Sequence, residues 1–230
     1  MINVQKDFET RAEEVTRYFQ FLRTFDDRRV NFVEAATDPF KFSPSEQGAL
    51  FKTLKANGFL LLYNLVESTS KNAIEAIFDE FRSQGVSFDH CREEVRKIIL
   101  ENLRRHSVEK ILPNLSAISV DVVVATFSKD HLFDGNVDAR HLRKVAKNYG
   151  FRNPRKKSDE LLTVKSNRND LAHGNKSFAD VGRDYDVDRL EKIRAEVVTF
   201  LEELLDNIAD YITSRSYLAL PPSPSMTATN

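Results

Sequence analysis

The stretch GFLLLYNLVEST, residues 58–69, is apolar on almost every side when it is wound as a helix. A helix that is apolar all round is buried among other helices. Upstream, Ser43 is an N-cap candidate, Pro44 occupies the first turn, and Glu46 closes a capping box with Ser43. The pattern therefore predicts a long central helix over about 44–83, at the centre of the core, ending near Gly85.

Amphipathic segments on both sides predict the helices that cover the central one. On the N-terminal side, apolar residues three to four positions apart predict a helix over about 4–34. On the C-terminal side, Ser87 is the expected cap of a charged helix over 88–105. β-branched residues near 118–127 predict a short strand or an irregular excursion.

Three further helices are expected towards the C-terminus. The first runs from Asp138 to Gly150, the second starts at Ser158 and is stopped by Gly174, and the third, over about 187–214, is capped by Asp186. The sequence thus predicts one all-α domain, residues 1–215, built as an up-and-down bundle of five or six helices. Residues 216–230 have the composition of a disordered tail.

The composition indicates a soluble protein. Hydrophobic residues make up 41% of the chain and charged residues 30%, and no apolar run reaches the length of a membrane span. The N-terminus MINVQKDFET lacks the apolar stretch of a signal peptide, and the single Cys91 cannot form an internal disulfide. We therefore expect a cytoplasmic protein without a membrane segment.

No cofactor or metal site is expected. The chain has no glycine-rich phosphate loop, and His90 and Cys91 have no second pair at the spacing of zinc ligands.

Charge is unevenly distributed along the chain. The net charge is −1, yet residues 140–183 contain twelve Lys or Arg and four Asp or Glu, a local excess of +8. Such a stretch is what a polyanion site would need, but it is more often a solvated helix surface with many lysines. Composition alone therefore favours the solvated surface.

The segment SNRNDLAHGNKSF, residues 166–178, carries the candidate chemistry. Arg168 could bind phosphate, and His173 could transfer a proton near neutral pH. With 19 Arg and 5 His in the chain, about one such pair at this spacing is expected by chance. Spacing alone therefore favours a structural role, in which His173 only binds the last carbonyls of its helix.

The wider pattern resembles the HEPN superfamily (higher eukaryote and prokaryote nucleotide-binding domains). RNDLAHGNKSF at 168–178 matches its hallmark of an Arg, a polar residue and a following His, and YFQFL and LLLYNLVEST resemble its first two helices. The resemblance is to the prokaryotic toxin and defence branch and implies metal-independent RNA cleavage. It assigns Arg168 and His173 as catalytic, with Asn169 supporting them and Glu67 as an acidic residue of the second helix.

The expected partners are RNA and a second copy of the chain. The basic residues near the motif are candidate RNA contacts, namely Arg152, Arg155, Lys156, Lys157, Lys165 and Lys176. Arg168 and His173 are five residues apart, so on a regular helix they point about 140° away from each other. One His per chain also cannot easily serve as both general acid and general base. A symmetric homodimer would supply two His and two Arg from two facing motifs, which resolves both difficulties.

A toxin or defence enzyme would also need a restraining partner such as a cognate antitoxin. Two other functions stay open from the sequence. They are a non-catalytic nucleotide-binding or RNA-binding domain, and a structural interaction module.

Overall fold

A computed structural model describes residues 1–27, 43–105, 127, 132, 133 and 136–219. Within these ranges the chain forms seven α-helices and no strand, so the predicted all-α class is confirmed. The expected number, five or six, was too small. The helices are α1 (Ile2–Asp26), α2 (Pro44–Ser83), α3 (Glu93–Arg105), α4 (Ala139–Tyr149), α5 (Asp159–Ala172), α6 (Phe178–Asp184) and α7 (Val187–Thr213).

Helix α2 is the centre of the bundle, as its apolar sequence predicts. It begins with the predicted capping box, in which the Ser43 hydroxyl accepts from the Glu46 amide and the Glu46 carboxylate accepts from the Ser43 amide at 2.7 Å. It packs against α1, α5, α6 and α7. Buried side chains, among them Phe59, Leu62 and Leu65, form a broad face along its middle, and the neighbouring helices cover this face. Asn64, on the opposite side, is exposed, so the helix is less completely enclosed than its apolar sequence predicts.

Helix α6 was not predicted from the sequence. It is only seven residues long and begins at Ser177, whose hydroxyl accepts from the Asp180 amide at 3.1 Å. At Gly182 it comes so close to α2 that an added Cβ would lie 1.9 Å from the Lys52 carbonyl oxygen. Only glycine permits this approach, and local sequence patterns do not reveal which glycine meets a distant backbone.

The predicted helix over 88–105 is interrupted. Ser87 precedes a 3-10 turn, Phe88–His90, its hydroxyl lies 3.0 Å from Nδ1 of His90, and it caps no helix. Cys91 is fully buried and forms an isolated antiparallel bridge with Leu218. This pairing with the C-terminal end of the domain keeps the backbone extended until α3 begins, and a contact so distant in sequence leaves no local signal.

Two of the three remaining helix starts are capped as predicted. The Asp138 carboxylate accepts from the His141 amide at 2.9 Å, and the Asp186 carboxylate accepts from the Arg189 amide at 2.7 Å. Ser158 stands at the N-cap position of α5 but makes no side-chain capping bond. Glu196 of α7 caps α5 instead, because its carboxylate accepts from the Glu160 amide at 2.8 Å.

The expected boundary of the domain at residue 215 does not fit the next four residues. Tyr217 is fully buried, and the Ala219 amide donates to the His90 carbonyl at 2.9 Å. Residues 28–34 of the expected first helix, residues 118–126 of the expected β excursion and residues 220–230 of the tail lie outside the described residues. Within the described ranges, no helix combines the length and the apolar character needed to cross a bilayer.

Candidate active site

The C-terminal end of α5 is fixed by its own backbone. Gly174 follows the helix with a φ of +69°, which favours glycine. The Asn175 amide donates to the Asp170 carbonyl at 2.8 Å, and the Gly174 amide donates to the Leu171 carbonyl at 3.3 Å. These two bonds form a Schellman motif. The predicted stop at Gly174 is confirmed, and the motif holds His173 at the last position before the chain turns away.

The imidazole of His173 is exposed at this end of the helix. Its backbone amide donates to the Asn169 carbonyl at 3.0 Å. Among the described residues, the ring itself has no hydrogen bond or ion pair, so it does not bind the last carbonyls of its helix. The structural role that the sequence left open for this ring is therefore not realised, and the imidazole is accessible to a ligand.

Arg168, in contrast, is half-buried and held by neighbours. Its guanidinium carbon lies 4.5 Å from the centre of the Tyr63 ring of α2, and Nη1 donates to the Asn169 side-chain oxygen at 3.0 Å. A cation over an aromatic face at this distance is stabilised by about 0.5–2 kcal/mol. The guanidinium is therefore oriented before any ligand arrives.

Tyr63 links this guanidinium to the loop in front of α4. The Tyr63 side chain is 1% exposed, and its hydroxyl accepts from the Val137 amide at 3.3 Å. Burial raises the pKa of the Tyr63 hydroxyl above its ordinary value, although the Val137 amide and the charge of Arg168 act in the opposite direction. The phenol therefore stays neutral near pH 7 and offers Arg168 an intact aromatic face.

Three consecutive residues of that loop contact the helices of the motif. Asn136 accepts from the Asn169 amide group at 3.2 Å, Val137 donates to Tyr63, and the Asp138 carboxylate pairs with Lys165 at 3.1 Å. Asn169, the predicted supporting residue, thus connects Arg168 on one side with the loop on the other. Sequence reasoning missed Tyr63 and Asn136, because one lies inside an apolar run and the other has no motif around it.

Glu67 lies one helical turn after Tyr63, and its charge contributes to raising the Tyr63 pKa. It is half-buried and forms an ion pair with Lys71 at 2.8 Å. The structure therefore places Glu67 in the same neighbourhood as Arg168, although its closest ionic partner is a lysine of its own helix.

Within one chain, the side chains of Arg168 and His173 do not form a common site. No hydrogen bond connects the two described side chains. Arg168 faces α2, and His173 is exposed beyond the last residue of α5. The helix stays regular up to His173, so the angular separation expected from the five-residue spacing is kept.

Most of the predicted RNA-binding cations are paired with acidic residues. Arg152 pairs with Asp210 at 2.7 Å and Lys157 with Glu196 at 3.4 Å, both on α7. Nearer the motif, Lys165 pairs with Asp138, and Lys176 pairs with Asp170 at 3.2 Å. Each of these four cations therefore has an acidic partner within the same chain.

The basic loop NPRKK, residues 153–157, is docked through its backbone as well. The amides of Arg155 and Lys156 both donate to the Glu203 carboxylate, at 2.8 and 2.7 Å. Burial opposes ionisation of Glu203 most strongly, but these amides and the nearby charges lower its pKa below the ordinary value. Among the described residues, the side chains of Arg155 and Lys156 are exposed and have no ion pair, so these two stay available to an external anion.

No group of three or more His, Cys, Asp or Glu side chains suited to a metal ion occurs among the described residues.

The helical bundle and the α5 motif together define a HEPN domain. The family model of the MAE_28990-like HEPN domain matches residues 2–217, which is nearly the whole described chain, and the protein belongs to this family. No curated protein and no solved structure matches the chain.

Proposed function

We propose that the protein is a metal-independent endoribonuclease whose active site is formed by the α5 ends of two copies. HEPN domains belong to a superfamily of nucleases and RNA-binding domains. The observation that carries the proposal is the contrast at the α5 end. Arg168 is oriented by Tyr63 and Asn169, and the His173 imidazole is exposed with no partner among the described residues.

The chemistry requires a base, an acid and a fixed positive charge. One His173 imidazole takes the proton of the ribose 2′-hydroxyl, whose oxygen forms a bond to phosphorus. The bond from phosphorus to the 5′-oxygen breaks, and a protonated imidazole supplies the proton to the leaving oxygen. Arg168 stabilises the charge that develops on the phosphorane oxygens. The products are a 2′,3′-cyclic phosphate and a 5′-hydroxyl.

Two copies supply what one copy lacks. A single chain offers one exposed His173, whose ring has no hydrogen bond to the guanidinium of its own Arg168. A homodimer with two-fold symmetry brings two of each residue to one groove. One histidine then acts as base and the other as acid, and the Arg168 of either copy can serve the reacting phosphate.

Unrestrained RNA cleavage would harm the host cell. We therefore place the enzyme in toxin–antitoxin or antiphage defence, where a cognate antitoxin or an activating signal restrains it.

A direct test incubates the purified protein with tRNA and total RNA in the presence of EDTA. We expect fragments that end in 2′,3′-cyclic phosphates, and we expect a far lower yield from His173→Ala. His90→Ala is the matched control, since His90 is also exposed but lies in the 3-10 turn, beside Ser87. Fragments of equal yield from His173→Ala would overturn the proposal.

The alternative function is a non-catalytic nucleotide-binding or RNA-binding adaptor. The observation that favours it is that Tyr63 and Asn169 orient Arg168, while no hydrogen bond joins it to His173 of the same chain. In that case Arg168→Ala weakens RNA binding, and neither protein yields a product. The cleavage assay therefore separates the two functions.

A further inference from the structure

The exposed face of α4 is basic and has few acidic partners. Arg140, Lys144 and Lys147 are four and three residues apart, which places them on one side of the helix. All three are exposed, while Leu142, Ala146 and Tyr149 on the opposite side are buried. We call the surface formed by Arg140, Lys144 and Lys147 the α4 stripe. It extends over about 10 Å of helix.

The stripe differs from the basic residues that are used inside the protein. Lys144 and Lys147 have no ion pair among the described residues, and Arg140 has only a long contact of 3.8 Å with Asp138. Some acidic groups do lie at the far end, where Lys147 lines a cavity of about 200 Å³ together with Glu94 and Glu101 of α3. Glu94 is already paired with Arg92 at 2.8 Å.

The stripe is continuous with the basic loop. Arg143, on the adjacent side of α4, donates to the carbonyls of Pro154 and Lys156 at 3.2 and 3.3 Å. These bonds hold the loop beside α4, so the free side chains of Arg155 and Lys156 border the same surface. Arg143 itself is occupied and serves as the connection between the two parts.

The stripe also begins at the candidate active site. Asp138 caps α4 and contacts both Arg140 and Lys165, and Lys165 lies one helical turn before Arg168 and Asn169 on α5. A strand whose phosphate is bound at Arg168 can therefore continue past Lys165 onto Arg140 and along α4.

We infer that the α4 stripe, together with Arg155 and Lys156, binds the backbone of single-stranded RNA and leads it to the α5 end. This inference rests on the proposed function and names the surface that binds its substrate. The exposed residues of α4, which include Asn148 beside the three cations, are all polar. Such a face lacks the apolar side chains that a membrane-surface helix inserts and the anchors that dominate protein interfaces. A basic, polar face of this kind suits the phosphate groups of a nucleic acid backbone.

The test measures binding without cleavage. The probe is a fluorescent single-stranded 2′-O-methyl RNA, which has no free 2′-hydroxyl to attack phosphorus. Its dissociation constant is measured between about 50 and 200 mM salt for wild type and for the triple variant R140Q/K144Q/K147Q. Each phosphate contact on a single strand contributes about 0.7 to the slope of log K against log salt.

We expect the triple variant to lose about 2 from this slope and to bind roughly 10- to 100-fold more weakly at 0.1 M salt. The control R17Q/R82Q/K192Q removes the same net charge from exposed positions on α1, α2 and α7, and its slope should match that of wild type. Circular dichroism shows whether each variant keeps its helices, and K144R should bind like wild type.

Several results would overturn the inference. They are an unchanged slope in a folded triple variant, an equal loss in the control, or stronger binding to phosphatidylserine vesicles than to RNA. The proposed function can fail on its own. If wild type binds RNA through the stripe but does not cleave RNA with free 2′-hydroxyls, the nuclease proposal is wrong and the binding surface stands. If the triple variant cleaves RNA with an unchanged KM, the binding surface is wrong and the nuclease proposal stands.

Discussion

The two ends of α5 use polar side chains in opposite ways. At the N-terminal end, Glu196 of α7 caps the helix, and the nearly buried Glu160 carboxylate pairs with Arg189 at 2.5 Å. At the C-terminal end, Arg168 is held by an aromatic ring and an amide, and His173 is exposed without a described partner. Polar groups at the first end stabilise the fold, whereas those at the second end are oriented and left available for a ligand.

The comparison is tested most strongly at His173. Replacing it with Ala removes both the base and the acid of the proposed reaction, and we expect cleavage to fall by about 10³-fold. The free energy of unfolding should change little, because the ring has no described partner. Initial rates and denaturant unfolding measure the two quantities, and a variant that loses stability together with activity would show that His173 supports the fold.

Arg168→Lys keeps the positive charge but removes the planar fork. We expect cleavage to fall by about 10²-fold, because an ammonium cannot reproduce bidentate binding of phosphate oxygens. The loss should appear mainly in kcat if Arg168 acts on the transition state. Wild-type kcat in Arg168→Lys would show that only its charge matters.

Tyr63 should act by positioning Arg168 and not by touching RNA. Tyr63→Phe keeps the ring under the guanidinium, and we expect nearly full activity. Tyr63→Leu removes the ring, and we expect roughly a 10-fold loss in kcat from the missing cation–π contact. NMR reports directly whether the Arg168 guanidinium lies over the ring. The ring current should shift the Arg168 side-chain resonances in wild type and in Tyr63→Phe but not in Tyr63→Leu. Equal activity of the Phe and Leu variants would show that the Tyr63 ring does not position Arg168 for catalysis.

At the opposite end of α5, Glu196→Gln should affect stability and spare the chemistry. The variant loses the charged cap of the Glu160 amide and the pair with Lys157, and we expect a loss of about 1 kcal/mol. Cleavage per folded molecule should be unchanged. A large fall in kcat for this variant would mean that the two ends of the helix are not functionally distinct.

Asp138 connects the middle of α5, through Lys165, to the start of α4, and its contribution to stability depends on pH. Burial opposes its ionisation most strongly, yet the His141 amide and Lys165 outweigh burial and lower its pKa. A lowered pKa in the folded state stabilises the fold above the unfolded pKa of about 4. This contribution is lost as the pH falls through the folded pKa.

Asp138→Asn keeps a capping side chain but has no charge. We expect its unfolding free energy to be lower than that of wild type by about 1 kcal/mol at pH 7. The difference should shrink as the pH falls from about 5 to about 3. A difference that stays constant over this range would contradict the ion pair with Lys165.

Local signals in the sequence predict the elements that depend on neighbouring residues. The capping box at Ser43, the cap at Asp138 and the stop at Gly174 all rest on bonds within a few residues. What could not be predicted depends on distant contacts. Cys91 pairs with Leu218, and Gly182 touches the backbone of Lys52.

The same division holds at the site. The pattern around Arg168 and His173 is visible in the sequence, and so is the +8 charge of residues 140–183. Which cations are already paired is not visible, because Asp210 and Glu196 lie more than 35 residues away from Arg152 and Lys157. Only the tertiary structure separates the paired cations Arg152 and Lys157 from the unpaired Lys144 and Lys147 of the α4 stripe.

The central claim is that one active site needs the α5 ends of two copies. Wild type is mixed in equal amounts with the double variant R168A/H173A, and native mass spectrometry verifies that subunits have exchanged. If both copies must contribute, only the wild-type dimers are active, and the rate falls to about a quarter of that of wild-type protein at the same total concentration. A rate of about a half, as independent sites in each chain would give, contradicts the claim.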